Sequence, residues 1–353
     1  MKNLIGLKKI FKNQKVLITG HTGFKGAWLT TIFDLLGAKV YGISKNHPTN
    51  FYKSLKFKKV KNYIFDLKDL KKTKKTLLKI QPDFIFHLAA QAIVSKSYTD
   101  PIETWNSNLI SFLNVLETLR FFKKKVNVVM ITSDKCYLNI EKIRGYKENE
   151  RLGGFENYSA SKASCEILFK SYYESYFKKQ NKIRLATARA GNVIGGGDWS
   201  KNRLIPDIIR SIEKKQIIKI RNINATRPWQ HVLEPLFGYI NLSISLNTTT
   251  KMNGEAFNFG PFASKNYSVK KILEKFKFEF KSIKWKSYNK KKFKESKLLN
   301  LNCNKAKKLI NWKTKYNFKQ TIDETIFWYK NYKKRDIKEL TYEQINKYLN
   351  YNG

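Results

Sequence analysis

Short apolar runs alternate with longer stretches of helical spacing through the first half of the chain, and that rhythm sets the expected architecture. Residues 15–19 (KVLIT) are apolar on both faces and too short for a helix, which predicts a buried strand. A helix is predicted over 23–36, strands over 39–44 and 63–65, and a second helix over 69–80. Residues 83–88 (DFIFHL) and 126–132 (VNVVMIT) predict two more strands, separated by a helical stretch over 101–122. Another helix is predicted to begin near Tyr158, and 183–188 predicts the next strand. Strands alternating with helices pair in parallel through crossovers. The expected fold class is therefore α/β, a Rossmann-type doubly wound parallel sheet.

After Ala190 the pattern changes. Gly195-Gly196-Gly197 is followed by Asp198-Trp199 and a helix from about Leu204, and 256–260 predicts a late return strand. From Ser268 the chain reads as short helices and basic loops, ending in an amphipathic helix around 320–330. This predicts a nucleotide-binding domain over 1–190 with about 231–262, and a smaller, mostly α substrate domain over about 191–230 and 263–353.

With 42% hydrophobic and 14% aromatic residues in 353, the chain has the material for a large core. No run approaches the eighteen or so apolar residues of a membrane span, and the basic first 14 residues lack the apolar stretch of a signal peptide. A cytoplasmic protein is expected. Cys136, Cys165 and Cys303 are odd in number and far apart, which fits a reducing compartment without a disulfide framework. His21, His47, His87 and His231 are scattered outside any metal-ligand spacing, so no metal is expected.

The formal charge of +43 admits two readings. One is a nucleic-acid binder. The other is a Lys- and Asn-rich bias spread over solvated faces. Although 71–79 and 281–297 are locally dense, no basic arm or recognisable nucleic-acid module is present, so no specific nucleic-acid partner is expected. A positive surface would still steer an anionic ligand toward its cleft.

Gly20-His21-Thr22-Gly23-Phe24-Lys25-Gly26 joins the first predicted strand to the first helix with the spacing G-x-x-G-x-x-G. Glycines let a backbone turn tightly against a pyrophosphate, which the free N–H groups of a helix start attract. An acid at the end of the second strand would hold an adenosine ribose and favour NAD over NADP. Here the sequence runs Tyr41-Gly42-Ile43-Ser44-Lys45-Asn46, which leaves that choice open. Asp66, after the third strand, is a candidate for the adenine edge or a solvated loop acid.

Tyr158 and Lys162 are four apart, on one helical face. A cationic lysine beside a tyrosine is expected to lower the phenol pKa and fit it for proton transfer near neutrality. Upstream, the fifth strand runs into Thr132-Ser133-Asp134-Lys135-Cys136-Tyr137, at the carboxyl end where open α/β sheets place their chemistry.

With these motifs the chain resembles the extended short-chain dehydrogenase/reductase family over nearly its whole length, and within it the CDP-glucose 4,6-dehydratases. The resemblance is carried by GHTGFKGAWL (20–29), HLAAQAIV (87–94), SDKCY (133–137), YSASK (158–162), ARAGNVIGGGDW (188–199) and RPWQHVLEPL (227–236). It implies an NAD-dependent hydro-lyase acting on a nucleotide sugar in the making of deoxysugars for surface polysaccharide. Gly20, Thr22, Gly23, Phe24, Gly26, Asp66, Leu88, Ala89 and Ala90 would hold NAD, with Tyr158 and Lys162. Ser133, Tyr158 and Lys162 would serve oxidation at C4, and Asp134 and Lys135 elimination across C5 and C6. Asn192, Arg203, Arg227 and His231 would contact the substrate, while Trp229 would serve packing and His87 a structural or ribose-edge role. A homodimer or homotetramer is implied. Lys45-Asn46-His47-Pro48-Thr49 departs from the subfamily, which carries an acid nearby and puts tight NAD binding in question.

Two alternatives stand beside this reading. One is a dehydratase or epimerase acting on a dTDP-, GDP- or UDP-linked sugar. The other is a non-catalytic Rossmann protein that senses NAD(P) or binds nucleic acid.

Overall fold

The computed structural model describes residues 3–45, 48–261, 266–281, 283–287 and 298–351. Asn46, His47 and most of the basic run over 281–297 lie outside these. Seven strands form one sheet: β1 (Lys15–Thr19), β2 (Lys39–Ser44), β3 (Lys61–Ile64), β4 (Phe84–His87), β5 (Val126–Ile131), β6 (Ile183–Ala190) and a seventh, Ala256–Phe259. From one edge to the other the order is Ala256–Phe259, β6, β5, β4, β1, β2, β3. All six pairings are parallel. The order reverses direction beside β1, which opens a crevice at the carboxyl ends of the strands.

Both faces of the sheet are covered, and the strands show it residue by residue. Val16 and Ile18 of β1 join the core on one face, while Leu17 points to the other. Phe84 and Phe86 alternate with Ile85 in the same way, as do Val129 and Ile131 with Val128 and Met130. The helix Ser111–Leu119 packs on the second face, with Phe112, Val115, Leu116 and Leu119 buried. On the first face the helices Phe24–Leu35 and Leu233–Thr248 meet the C-terminal helices Phe318–Asn331 and Ile337–Asn350 in one cluster.

The departures from the predicted elements have local causes. The third strand starts two residues early because it is an edge strand with exposed Lys61 and Asn62, so an apolar run is not its mark. The stretch 101–122 is interrupted by a π-helical turn, Asn106–Ile110, which buries Asn108 against Gln91 N and Ser161 Oγ. The helices Leu4–Phe11, Asn50–Ser54 and Val94–Thr99 (both short), Leu233–Thr248 and Ile337–Asn350 were not predicted. The first buries only Leu7 and Phe11. The last is fixed by tertiary contact with the helix Phe24–Leu35, where Asp34 accepts from Tyr342 Oη at 2.7 Å and pairs with Lys338 at 2.8 Å. No helix among the described residues is long and apolar enough to cross a membrane.

Candidate active site

The glycine loop can close only because two of its positions carry hydrogen. Gly20 follows β1 at φ +70°, and a Cβ there would meet Ala89 N at 2.9 Å. A Cβ on Gly26 would meet Gly20 O at 2.1 Å. The following helix is capped by Gly23 without a side-chain acceptor, so its first amides can receive an anion. This cradle fits a dinucleotide pyrophosphate.

At the carboxyl ends of the strands lies a cavity of about 690 Å³. The loop residues Gly20, Thr22, Gly23, Phe24 and Gly26 line it, and so do Asp66, Leu88, Ala89 and Ala90. Ser133, Asp134, Lys135, Tyr158 and Lys162 line the same cavity.

Local devices position Ser133, Asp134 and Tyr158. Beyond β5 the chain makes one 3₁₀ turn, Asp134–Cys136, capped by Ser133, whose Oγ accepts from Lys135 N at 3.2 Å and donates to Asp134 Oδ1 at 3.0 Å. The Asp134 carboxylate rests on the bare backbone of Gly191, where an added Cβ would stand 1.8 Å from Oδ2. Glu156 caps the helix Asn157–Tyr172, accepting from Tyr158 N at 2.6 Å and Ser159 N at 3.0 Å, which sets the angle at which Tyr158 enters. Beneath the turn, Glu166 and Arg189 form a buried pair at 2.7 Å. Glu166 also accepts from Thr132 and Thr187, and Arg189 donates to Tyr137 Oη at 2.7 Å. These bonds tie β5, β6 and the turn into one rigid floor.

Electrostatically the cavity differs from the expectation. Burial pushes the Tyr158 phenol up to about 12, outweighing the hydrogen bond with Ser133 and the charge of Arg203. The lowered phenol expected from a neighbouring lysine is therefore corrected: desolvation dominates, and it also lowers the Lys162 ammonium. Lys25, which sequence reasoning passed over, is brought down to about 8 by burial, with Arg203 and Lys162 also lowering it and Asp134 opposing. Its one signal was a lysine between the second and third glycines of the loop.

The residues expected to contact substrate divide. Asn192, in the left-handed region at φ +47°, and Arg203, paired with Asp198 at 3.0 Å, line the cavity. His231 does not, and that expectation is corrected. Its segment pairs with Val193–Ile194, which buries the imidazole completely between the rings of Trp28 and Tyr316. Burial keeps it neutral, with a pKa of about 3. Arg227 stands outside the lining residues and donates to Thr226 O at 2.7 Å. Trp229 lines the cavity while its Nε1 donates to Tyr267 O at 2.9 Å. His87 is buried and neutral, sharing a 2.9 Å hydrogen bond with Thr19.

A parallel nucleotide-binding sheet whose glycine loop shares one cavity with a tyrosine–lysine helix defines the class: an extended short-chain dehydrogenase/reductase. The model of the GDP-mannose 4,6 dehydratase family matches residues 17–325, and the chain belongs to that family of nucleotide-sugar dehydratases. It is 38% identical over 331 residues to the CDP-glucose 4,6-dehydratase of Salmonella typhimurium, covering 92% of each chain. A UDP-glucose 4-epimerase of Mycoplasma pneumoniae is 25% identical, over 89% of this chain and 96% of its own. Among solved structures, an epimerase from Methanothermobacter thermautotrophicus superposes with a TM-score of 0.81 at 20% identity, covering 96% of this chain and 97% of that one. The dTDP-glucose 4,6-dehydratase of Bacillus anthracis, solved with NAD, gives 0.74 at 19% identity, covering 93% and 99%. At such identities the two structures speak for the fold.

Proposed function

We propose that the protein converts CDP-D-glucose to CDP-4-dehydro-6-deoxy-D-glucose and water, with NAD as its cofactor. The observation that carries this reading is the convergence of Ser133, Asp134, Lys135, Tyr158 and Lys162 on the cavity that also holds the glycine loop. The choice of CDP-glucose rests on the Salmonella typhimurium relative.

NAD, held by the glycine loop with Tyr158 and Lys162, would supply a reversible hydride acceptor for the C4 hydrogen and a hydride source for C6. Tyr158, as phenolate, takes the proton of the 4-hydroxyl, and Ser133 holds the same oxygen by a hydrogen bond. Ser133 and Arg203 both shift the phenol toward the base form that this step needs. Lys162 would hold the cofactor's nicotinamide ribose. Once C4 is a ketone, the C5 proton is acidic. Lys135 removes it while Asp134 protonates the departing 6-oxygen, which leaves as water. The Lys135 ammonium then gives the proton back to C5 as C6 is reduced, and the proton gained by Tyr158 is passed back to Asp134 through Ser133, which hydrogen-bonds both. Asn192 and Arg203 serve the substrate pyrophosphate, with Arg227 beyond the lining as a further phosphate grip.

Residues 1–190 with about 231–262 act as the NAD-binding domain in this reading, and the remainder holds the nucleotide sugar. The enzyme works in the cytoplasm, for surface-polysaccharide deoxysugar synthesis, as a homodimer or homotetramer. The helices that begin at Pro101 and Asn157 would pair across the interface, where Ile102 and Ile167 are exposed at 73% and 59%.

The test is a panel of CDP-, dTDP-, GDP- and UDP-linked hexoses with NAD⁺, followed by mass spectrometry for loss of water. CDP-glucose should give the highest kcat/KM. Turnover confined to another nucleotide would contradict the assignment.

A further inference from the structure

The second strand ends without the acid that commonly holds an adenosine ribose, and Lys45 follows it instead. A free cation there would favour a ribose bearing a 2′-phosphate. Lys45 is not free. Its ammonium contacts the carboxylate of Glu103 directly and lies 3.5 Å from Asp66. Lys68 completes the group, 3.4 Å from Asp66 and 3.2 Å from Glu103.

The cluster belongs to the cofactor end of the cavity. Ser44, Lys45, Asp66 and Glu103 all line it, and Ser44 is tied to Thr22 of the glycine loop by a 2.8 Å hydrogen bond. Glu103 arrives from the far side of the cleft. It sits on the short helix Pro101–Trp105, where its N–H donates to the capping Asp100 at 3.2 Å. Burial alone would raise its carboxyl, but hydrogen bonds from Lys45, Ser107 and Lys68 overcome that and hold it at about 2. Glu103 is therefore ionised throughout the neutral range.

We propose that Glu103, together with Asp66, supplies the cofactor discrimination missing from the end of the second strand, neutralising Lys45 and setting negative charge against a 2′-phosphate so that NAD is taken and NADP refused. The proposal rests on the dinucleotide reading of the cavity given above. A 2′-phosphate approaching Lys45 would meet a cation already paired with two carboxylates, and those carboxylates would face the incoming anion. A neutral 2′-hydroxyl asks for no such rearrangement, and the carboxylates are acceptors for its proton.

Binding of NADH and NADPH to the full chain should be measured by calorimetry, without turnover, for the wild type and the Glu103→Gln, Asp66→Asn and Lys45→Met variants. The wild type should bind NADH more tightly. Glu103→Gln keeps the shape but removes a charge and releases Lys45, so NADPH affinity should rise about tenfold, and fall again with added salt. NADH affinity should change far less. Asp66→Asn should act in the same direction more weakly, and Lys45→Met should worsen NADPH binding further. A wild-type preference for NADPH, or an NADH-to-NADPH ratio unmoved in both Glu103→Gln and Asp66→Asn, would overturn the proposal. Binding of neither dinucleotide by the wild type would overturn the cofactor reading itself, and this proposal with it.

Discussion

The helix start at 158–162 and the segment 227–236 are equally distinctive as sequence, yet the fold uses them differently. YSASK sends Tyr158 and Lys162 into the cavity, from a helix whose cap, Glu156, fixes their direction. RPWQHVLEPL mainly builds the wall behind it. Gln230 Nε2 donates to Gly191 O at 2.9 Å and Phe259 O at 3.0 Å, joining the substrate side to the sheet. His231 is sealed between rings, and Glu234 accepts from the backbone N–H groups of Lys315 and Tyr316 and from Tyr348 Oη. A residue pattern that marks a family can record how its site is walled as well as what touches the ligand.

Mutations should separate the two regions sharply. Tyr158→Phe removes the acid–base group without emptying space, so kcat should fall by roughly 10²–10⁴-fold while thermal unfolding stays near that of the wild type. A loss below tenfold would place the proton transfer elsewhere. Glu234→Ala should do the reverse. Three donors, two of them buried, lose their acceptor, at a cost of about 3 kcal/mol in urea unfolding. The fraction that remains folded should keep kcat/KM within about threefold, since Glu234 is absent from the cavity lining.

The wall also carries a pH signature, smaller per unit of pH. His87 and His231 are held near 3, below the 6.5 of an unfolded chain, so the unfolded state takes up protons first as the solution is acidified. Each imidazole should cost about 1.4 kcal/mol of stability per pH unit as pH falls below 6.5. Glu234, raised to about 7 by burial, acts oppositely: its stabilisation is full below 4.5 and lost as pH rises through 7. Between pH 6.5 and 4.5 these three groups should give a net loss of about 1.4 kcal/mol per unit of acidification, doubled in Glu234→Gln. Unfolding curves at stepped pH would show it, and a slope unchanged by Glu234→Gln would remove the opposing role.

Legibility in the sequence follows the same division. The strand β1 is buried on both faces, so an apolar run marks it at its true length. The helix Ile337–Asn350 is harder to read: Asp336 caps it, but its buried face mixes Leu340, Ile345 and Tyr348 with polar Thr341 and Gln344, and its partner Asp34 is far away in sequence. Within the site, the glycine loop and the 158–162 spacing could be read because each is a local device. The partners of Lys25, namely Arg203, Asp134 and Lys162, lie far away in sequence and meet it only in the folded chain. Glu103 is similar: nothing in PIETW points to a cofactor cleft until the fold sets it against Lys45.

The central claim is a division of labour, with Tyr158 and Lys162 serving oxidation at C4 and Lys135 and Asp134 serving elimination across C5 and C6. Its most direct test is a single turnover of the Lys135→Met enzyme with CDP-glucose, following NADH fluorescence and the sugar product together. Oxidation should proceed and enzyme-bound NADH should accumulate, with little 4-keto-6-deoxy product. Product formation at near the wild-type rate, or no NADH although the sugar nucleotide still binds, would contradict the account.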